Sequence, residues 1–134
     1  MGKYVKHRGL RVPSALAHTA VEVGDVVCLN SAGKWVKARA NHADTSPAVG
    51  VVTAGVKTAD LANVRPEVCS DATIANAGTS LATGGEVYLS AAVAGAVTQT
   101  APTGSNNFVQ VIGVAVNATD IHYNFGSGQF RAGA

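Results

Sequence analysis

"GGEVYLSAAVAGAVTQTAPTG", residues 84–104, reads as a strand, a turn and a second strand built almost entirely from small residues. A phrase of the same build, "VGDVVCLNSAGKWVKA", spans residues 23–38. In the earlier copy Gly24 precedes Val27-Cys28-Leu29-Asn30, and Gly33, Val36 and Val49-Gly50-Val51-Val52 follow. In the later copy Gly84 precedes Val87-Tyr88-Leu89-Ser90, and Gly95, Val97 and Ile112-Gly113-Val114-Ala115 follow. Side chains alternate across a strand, so the Val and Leu two apart share one side and Cys28 or Tyr88 takes the other. The turn glycine permits the chain reversal. The pattern predicts two related hairpin units, about residues 21–54 and 83–117, each continued by a longer strand at the Gly-Val step. Two such units closing on each other would hide most of their edges, as a sheet must to stay soluble.

Outward from these phrases, the whole stretch after Val21 consists of short β-type runs separated by Gly, Asn, Asp, Ser and Pro, the spacing of an all-β sandwich or barrel. Strands are predicted at Asp25–Asn30, Lys34–Arg39, Ala48–Ala54, Val64–Ser70, Glu86–Ser90, Ala96–Thr100, Phe108–Asn117 and Ile121–Phe125. One helical turn is predicted at Thr58–Asn63. The fold class expected is all-β: a compact β-barrel or β-sandwich of short antiparallel strands, forming one domain over residues 21–134, as 134 residues allow. The closing "GSGQFRAGA" reads as a short C-terminal tail, either flexible or pairing as a strand with a partner.

Residues 1–20, "MGKYVKHRGLRVPSALAHTA", carry neither a helical nor a sustained alternating pattern and read as an extended N-terminal arm. Ordering it costs about 1–2 kcal/mol per residue, more than Tyr4, Val5, Leu10, Val12 and Leu16 return by burial. Such an arm is either loose, or held by extensive backbone pairing or a neighbouring molecule. Lys3, Lys6, Arg8 and Arg11 give it the chain's only local charge excess and make it the candidate for reaching an acidic partner surface.

Hydrophobic residues at 47% against 13% charged argue for a packed core, and 5% aromatics leave that core to Val, Ala, Leu and Ile. The formal charge of +2 is too small and too dispersed to imply a nucleic-acid or membrane partner. No apolar run is long enough to span a bilayer and no signal-peptide order is visible, so a soluble protein made in the cytoplasm is expected. Cys28 and Cys69 lie in strand-like stretches where cysteine packs as a small hydrophobe, so two thiols are expected rather than a disulfide.

Signals for chemistry are weak. "GTSLA", residues 78–82, nearly matches a nucleophile elbow, but Ala82 stands where glycine is needed and a loop entering a strand is predicted there. His7, His18, His42 and His122 show no paired metal-ligand spacing, and there is no Cys-x-x-Cys. Asp44, Asp60, Asp71 and Asp120 stand singly in predicted turns, where Asp serves local hydrogen bonding. Asn117-Ala118-Thr119 is a sequon without a secretory route. No catalytic residue, cofactor or metal is expected, and the chain reads as no enzyme. Trp35, beside Lys34 and Lys37, and Tyr88 are the aromatic candidates for a partner or subunit contact, with core packing the alternative for both.

The phrases "GGEVYLS" (residues 84–90), "TAPTG" (100–104) and "FVQVIGVAVNATDIHYNF" (108–125) resemble those of small β-domain proteins of tailed bacteriophages. There a Gly-x-x-Val-Tyr-Leu-Ser strand leads through a Thr-Pro loop to a Val-x-x-Val-Gly-Val-Ala strand and a closing Ile-x-Tyr-Asn. "VEVGDVVCLNSAGKWVKA" and "AVGVV" extend the resemblance over roughly the last hundred residues; the arm is not covered. In that group such domains are capsid decoration (cement) proteins or parts of head and tail fibres. The resemblance implies a virion protein on the capsid exterior, with the major capsid protein as partner. It also implies a homo-oligomer, for which a trimer suits the local threefold positions of an icosahedral shell. The alternative it carries is a fibre or receptor-binding module contacting a host glycan or protein.

Overall fold

In the computed structural model, residues 3–12, 14–41, 45, 47–75 and 80–125 are described, together with the backbone of 130–132. Eleven strands form two antiparallel sheets: β1 (Tyr4–Arg8), β2 (Val26–Leu29), β3 (Trp35–Lys37), β4 (Gly50–Ala54), β5 (Glu67–Cys69), β6 (Asp71–Ala75), β7 (Glu86–Leu89), β8 (Val97–Thr98), β9 (Phe108–Ala115), β10 (Asp120–Asn124) and β11 (Phe130–Ala132). The larger sheet has the order β1-β6-β10-β9-β7-β8, with β11 added to β9; the smaller has the order β3-β2-β4-β5. The arrangement is sandwich-like and not closed into a barrel. A 3-10 turn occupies Thr58–Asp60, within the Thr58–Asn63 stretch where one helical turn is predicted.

The same pairing occurs twice. β2 lies between β3 and β4, and β7 lies between β8 and β9. Val27 stands opposite Gly50, and Val87 stands opposite Gly113. The two hairpin glycines, Gly33 and Gly95, both take positive φ, 75° and 78°. Gly50 and Gly113 mark close crossings: a Cβ on Gly50 would stand 2.5 Å from Val68 Cγ1 and 2.9 Å from the Cys69 carbonyl oxygen. One on Gly113 would stand 2.6 Å from the His122 carbonyl oxygen. The recurrent Gly-Val step is therefore where a third strand passes too near for any side chain.

The two units nevertheless present opposite faces to the core. In β7 the Glu-Val-Tyr-Leu alternation sends Val87 and Leu89 inward and Tyr88 outward. In β2 it is Val26 and Cys28 that face inward, while Val27 points away into a second apolar layer. The main core lies between the sheets and joins Val26, Cys28, Val51 and Cys69 to Ile74, Val87, Leu89, Ile112, Ile121 and Tyr123. The second layer, on the outer face of the smaller sheet, gathers Ala17, Val21, Val27, Trp35, Val52 and Val68. Burial on both faces explains why β2 and β4 carry the unbroken runs Val-Val-Cys and Val-Val-Thr.

Val12, Ala15 and Ala17 of the arm supply cover for that second layer. β1 pairs with β6, and the chain then runs on beside β5, with an Arg11–Cys69 bridge. Ser70 is the single residue between β5 and β6, so this ribbon crosses from one sheet to the other with the arm paired along it. Next, Trp35 N–H donates to Leu16 O at 2.9 Å and His18 N–H to Trp35 O at 2.8 Å. Val21 and Val56 then exchange bonds of 3.1 and 2.9 Å. Of the ways to hold such an arm, the structure shows backbone pairing within its own chain. The C-terminal stretch likewise pairs within the chain, Phe130 opposite Gln110.

One buried side chain ties the larger sheet to the segment leading into β4. Gln110 points inward from β9, and its amide accepts from Ala48 N–H and donates to Ala48 O, both at 2.8 Å. Cys28 and Cys69 are buried thiols not joined in a disulfide. Burial pushes the Cys28 thiol up to about 11.

Candidate interaction surface

The arm's cations are fixed by three different neighbours. Lys3 lies with its stem against Gly24, whose added Cβ would meet Lys3 Cδ at 2.5 Å. Lys6, at the β-bulge between Val5 and His7, places its ammonium 2.8 Å from Asp120 Oδ2. Arg8 Nε is 3.0 Å from Glu67 Oε1, and Arg11 Nη2 is 2.9 Å from Glu67 Oε2. Thr53 Oγ1 also donates to Glu67 Oε1, at 2.7 Å.

The Lys6–Asp120 pair is part of a turn. Asn117 Oδ1 accepts from the backbone N–H of Thr119 and of Asp120, each at 2.9 Å, and Asn117 Nδ2 donates to Asp120 Oδ2 at 2.9 Å. This local closure shapes the β9–β10 connection and gives the Asn-Ala-Thr sequence a structural task. The Lys6 ammonium first, then the Asn117 amide, hold the Asp120 carboxyl below its usual range. In return, the hydrogen bond and charge of Asp120 raise Lys6 above its usual value.

Arg8 and Arg11 are thus brought together on one carboxylate, whereas Lys3 and Lys6 stand apart from them. Where the arm passes β5, a cleft of about 270 Å³ opens, lined by Arg11, Val12, Ser14, Arg65, Pro66, Glu67 and Val68. Arg65 is exposed and makes no ion pair among the described residues. Sequence reasoning passed over Arg65 and Glu67 because both sit in a predicted strand, and only the fold carries Arg8 and Arg11 to them.

The aromatic candidates separate. Trp35 is 1% exposed beneath the arm, so it packs and offers no face to a partner; its place among the contact candidates is corrected by burial. Its indole N–H has no hydrogen-bond partner among the described residues. Tyr88 is half-buried on the outer side of the larger sheet, opposite Thr98 and Val111. Trp35 and Tyr88 belong to different sheets and form no joint surface.

The residues weighed for chemistry also scatter. Ser80 is exposed in the approach to β7, and Gly78 and Thr79 lie outside the described residues, as do His42 and Asp44. His122 Nδ1 is 3.0 Å from Thr73 Oγ1 on β6. No group of three or more His, Cys, Asp or Glu with metal-binding geometry occurs among the described residues. Among the described residues, no helix is long and apolar enough to cross a membrane. No family model, curated protein or solved structure matches the chain.

Proposed function

We propose that this chain is a structural protein of a tailed-phage particle: a decoration or cement protein that binds the outside of the assembled head and bridges neighbouring major capsid protein subunits. The observation that carries the reading is where the quoted phrases fall. "EVYL", "FVQVIGVA" and "DIHYN", separated in sequence, become β7, β9 and β10, three neighbouring strands of one sheet. The resemblance therefore follows one folded unit rather than scattered turns.

The mechanism is thermodynamic. A protein that binds the assembled lattice and not its dissociated subunits stabilises that lattice by linkage. Repetition over a shell makes modest affinity per copy sufficient. The cationic corner formed by Arg8, Arg11 and Arg65 is the surface assigned to the capsid, and a trimer at local threefold positions is the assembly assigned to the chain.

Mixing the purified protein with undecorated capsids and imaging them tests this reading. The expected result is regular external density at saturation, on the order of hundreds of copies per particle. Absence of bound density at micromolar protein would overturn it. Copies numbering only a few to tens in purified particles would instead favour a fibre or receptor-binding module, whose contact loop would be Ala101–Asn107, exposed at Thr103–Asn106.

A further inference from the structure

We infer that the cleft beneath Arg11 and Arg65 binds a carboxylate presented by an acidic peptide segment of a partner protein. This deepens the reading above by naming the chemistry its cationic corner would recognise. The argument starts from charge. Arg8 and Arg11 both pair with Glu67, and Arg65 lines the cleft with Arg11 and Glu67; counting Asp71, which accepts from Leu10 N–H between the two paired arginines, three cations stand against two acids. Glu67 is already held by three donors: Oε1 accepts from Arg8 and Thr53, and Oε2 from Arg11. Arg65 makes no ion pair with it.

Arg11 gives Glu67 one terminal nitrogen, and its side chain remains 68% exposed. A guanidinium carries five N–H donors in a planar fork, so Arg11 and Arg65 retain donors that a second anion could engage. The Ser14 hydroxyl lines the same cleft.

Shape and surroundings select the anion. Val12, Pro66 and Val68 line the same cleft beside the two guanidiniums and offer a small apolar contact for the methylene stem of Asp or Glu. A volume of about 270 Å³ accommodates one or two side chains rather than a stretch of polymer. Nucleic acid is held by a succession of phosphate contacts. The chain's net charge of +2 supplies no further cationic stripe on which a second and third phosphate could lie.

The test uses the full chain, labelled for NMR and titrated separately with acetylated triglutamate, acetylated triglutamine, inorganic phosphate and a single-stranded oligonucleotide. Triglutamate is expected to produce saturable shifts in the amides of Val12, Ser14 and Val68 and at Arg65 Nε–H, with affinity on the order of millimolar. Triglutamine is expected to produce none. Arg65→Gln should weaken triglutamate binding about two- to fivefold, and raising salt from about 50 to 500 mM should weaken it further. Arg65 is exposed and paired to no acid among the described residues, so this variant keeps the fold; Arg11→Gln provides a second reading.

The inference is overturned if triglutamate gives no saturable shift, if triglutamine shifts the same amides, if phosphate or the oligonucleotide binds more tightly, or if Arg65→Gln leaves the affinity unchanged. Peptide binding is measured without capsids. Its failure beside intact capsid decoration would discard the cleft alone, and the reverse outcome would discard the particle reading alone.

Discussion

At the scale of single residues, the sharpest constraints are two glycines, a glutamine and a tryptophan. Gly113→Ala would force a methyl against the His122 carbonyl at 2.6 Å, and should cost about 1–3 kcal/mol in denaturant unfolding, with Gly50→Ala comparable. Both glycines were legible as a repeated Gly-Val step, although the reason for them, a crossing third strand, is tertiary. Gln110→Met keeps volume but strips partners from the buried N–H and C=O of Ala48; a loss of about 2–4 kcal/mol is expected. The sequence offered only one polar residue at an inward position of β9, a signal that fits many roles. Trp35→Ala should cost about 3–5 kcal/mol. Trp35→Phe, which removes an indole N–H already without a partner among the described residues, should cost under about 1.5 kcal/mol. Neighbouring Trp35 and Val36 defeat a reading by alternation, which is why core and surface could not be told apart there.

At the scale of elements, the arm and the β9–β10 turn act on each other through Lys6 and Asp120. Asp120 is held below its usual range, so its contribution exists above the unfolded carboxyl value near pH 4 and disappears as pH falls through the folded one. Lys6 is raised, so its share is complete below pH ~10.4 and disappears as pH rises through its folded value. Thermal unfolding against pH should show Asp120→Asn with a shallower acid limb than the parent; coincident limbs would show the pair to be inert. β1, β6 and β11 escaped the sequence reading for identifiable reasons. β1 is a polar edge strand with four of five residues exposed, β6 follows β5 after one residue and has alanine or threonine at three of its five positions, and β11 is short and Gly-flanked. The eight strands that were predicted are the ones with apolar runs between turn residues, the signal that burial writes directly into sequence.

At the scale of the whole molecule, the two-layer apolar interior makes a joint prediction. The chain has one tryptophan, so its emission reports the second layer alone. Removing residues 1–20 should shift that emission to the red and open it to acrylamide, while Cys28 and Cys69 in the main core stay slow to alkylate. Simultaneous exposure of both would mean that the layers unfold as one. The all-β class was readable because strand spacing is local. The cationic corner was not, because Arg11 and Glu67 stand 56 positions apart and meet only through a ribbon that changes sheets. That separation, and the 114 positions between Lys6 and Asp120, have a consequence for synthesis. The ribosome delivers the arm before its docking strand, and its anchoring carboxylate later still. A nascent chain halted before residue 120 would expose an unfastened arm and a bare tryptophan face, and residues made well before their partners would be among the latest to settle.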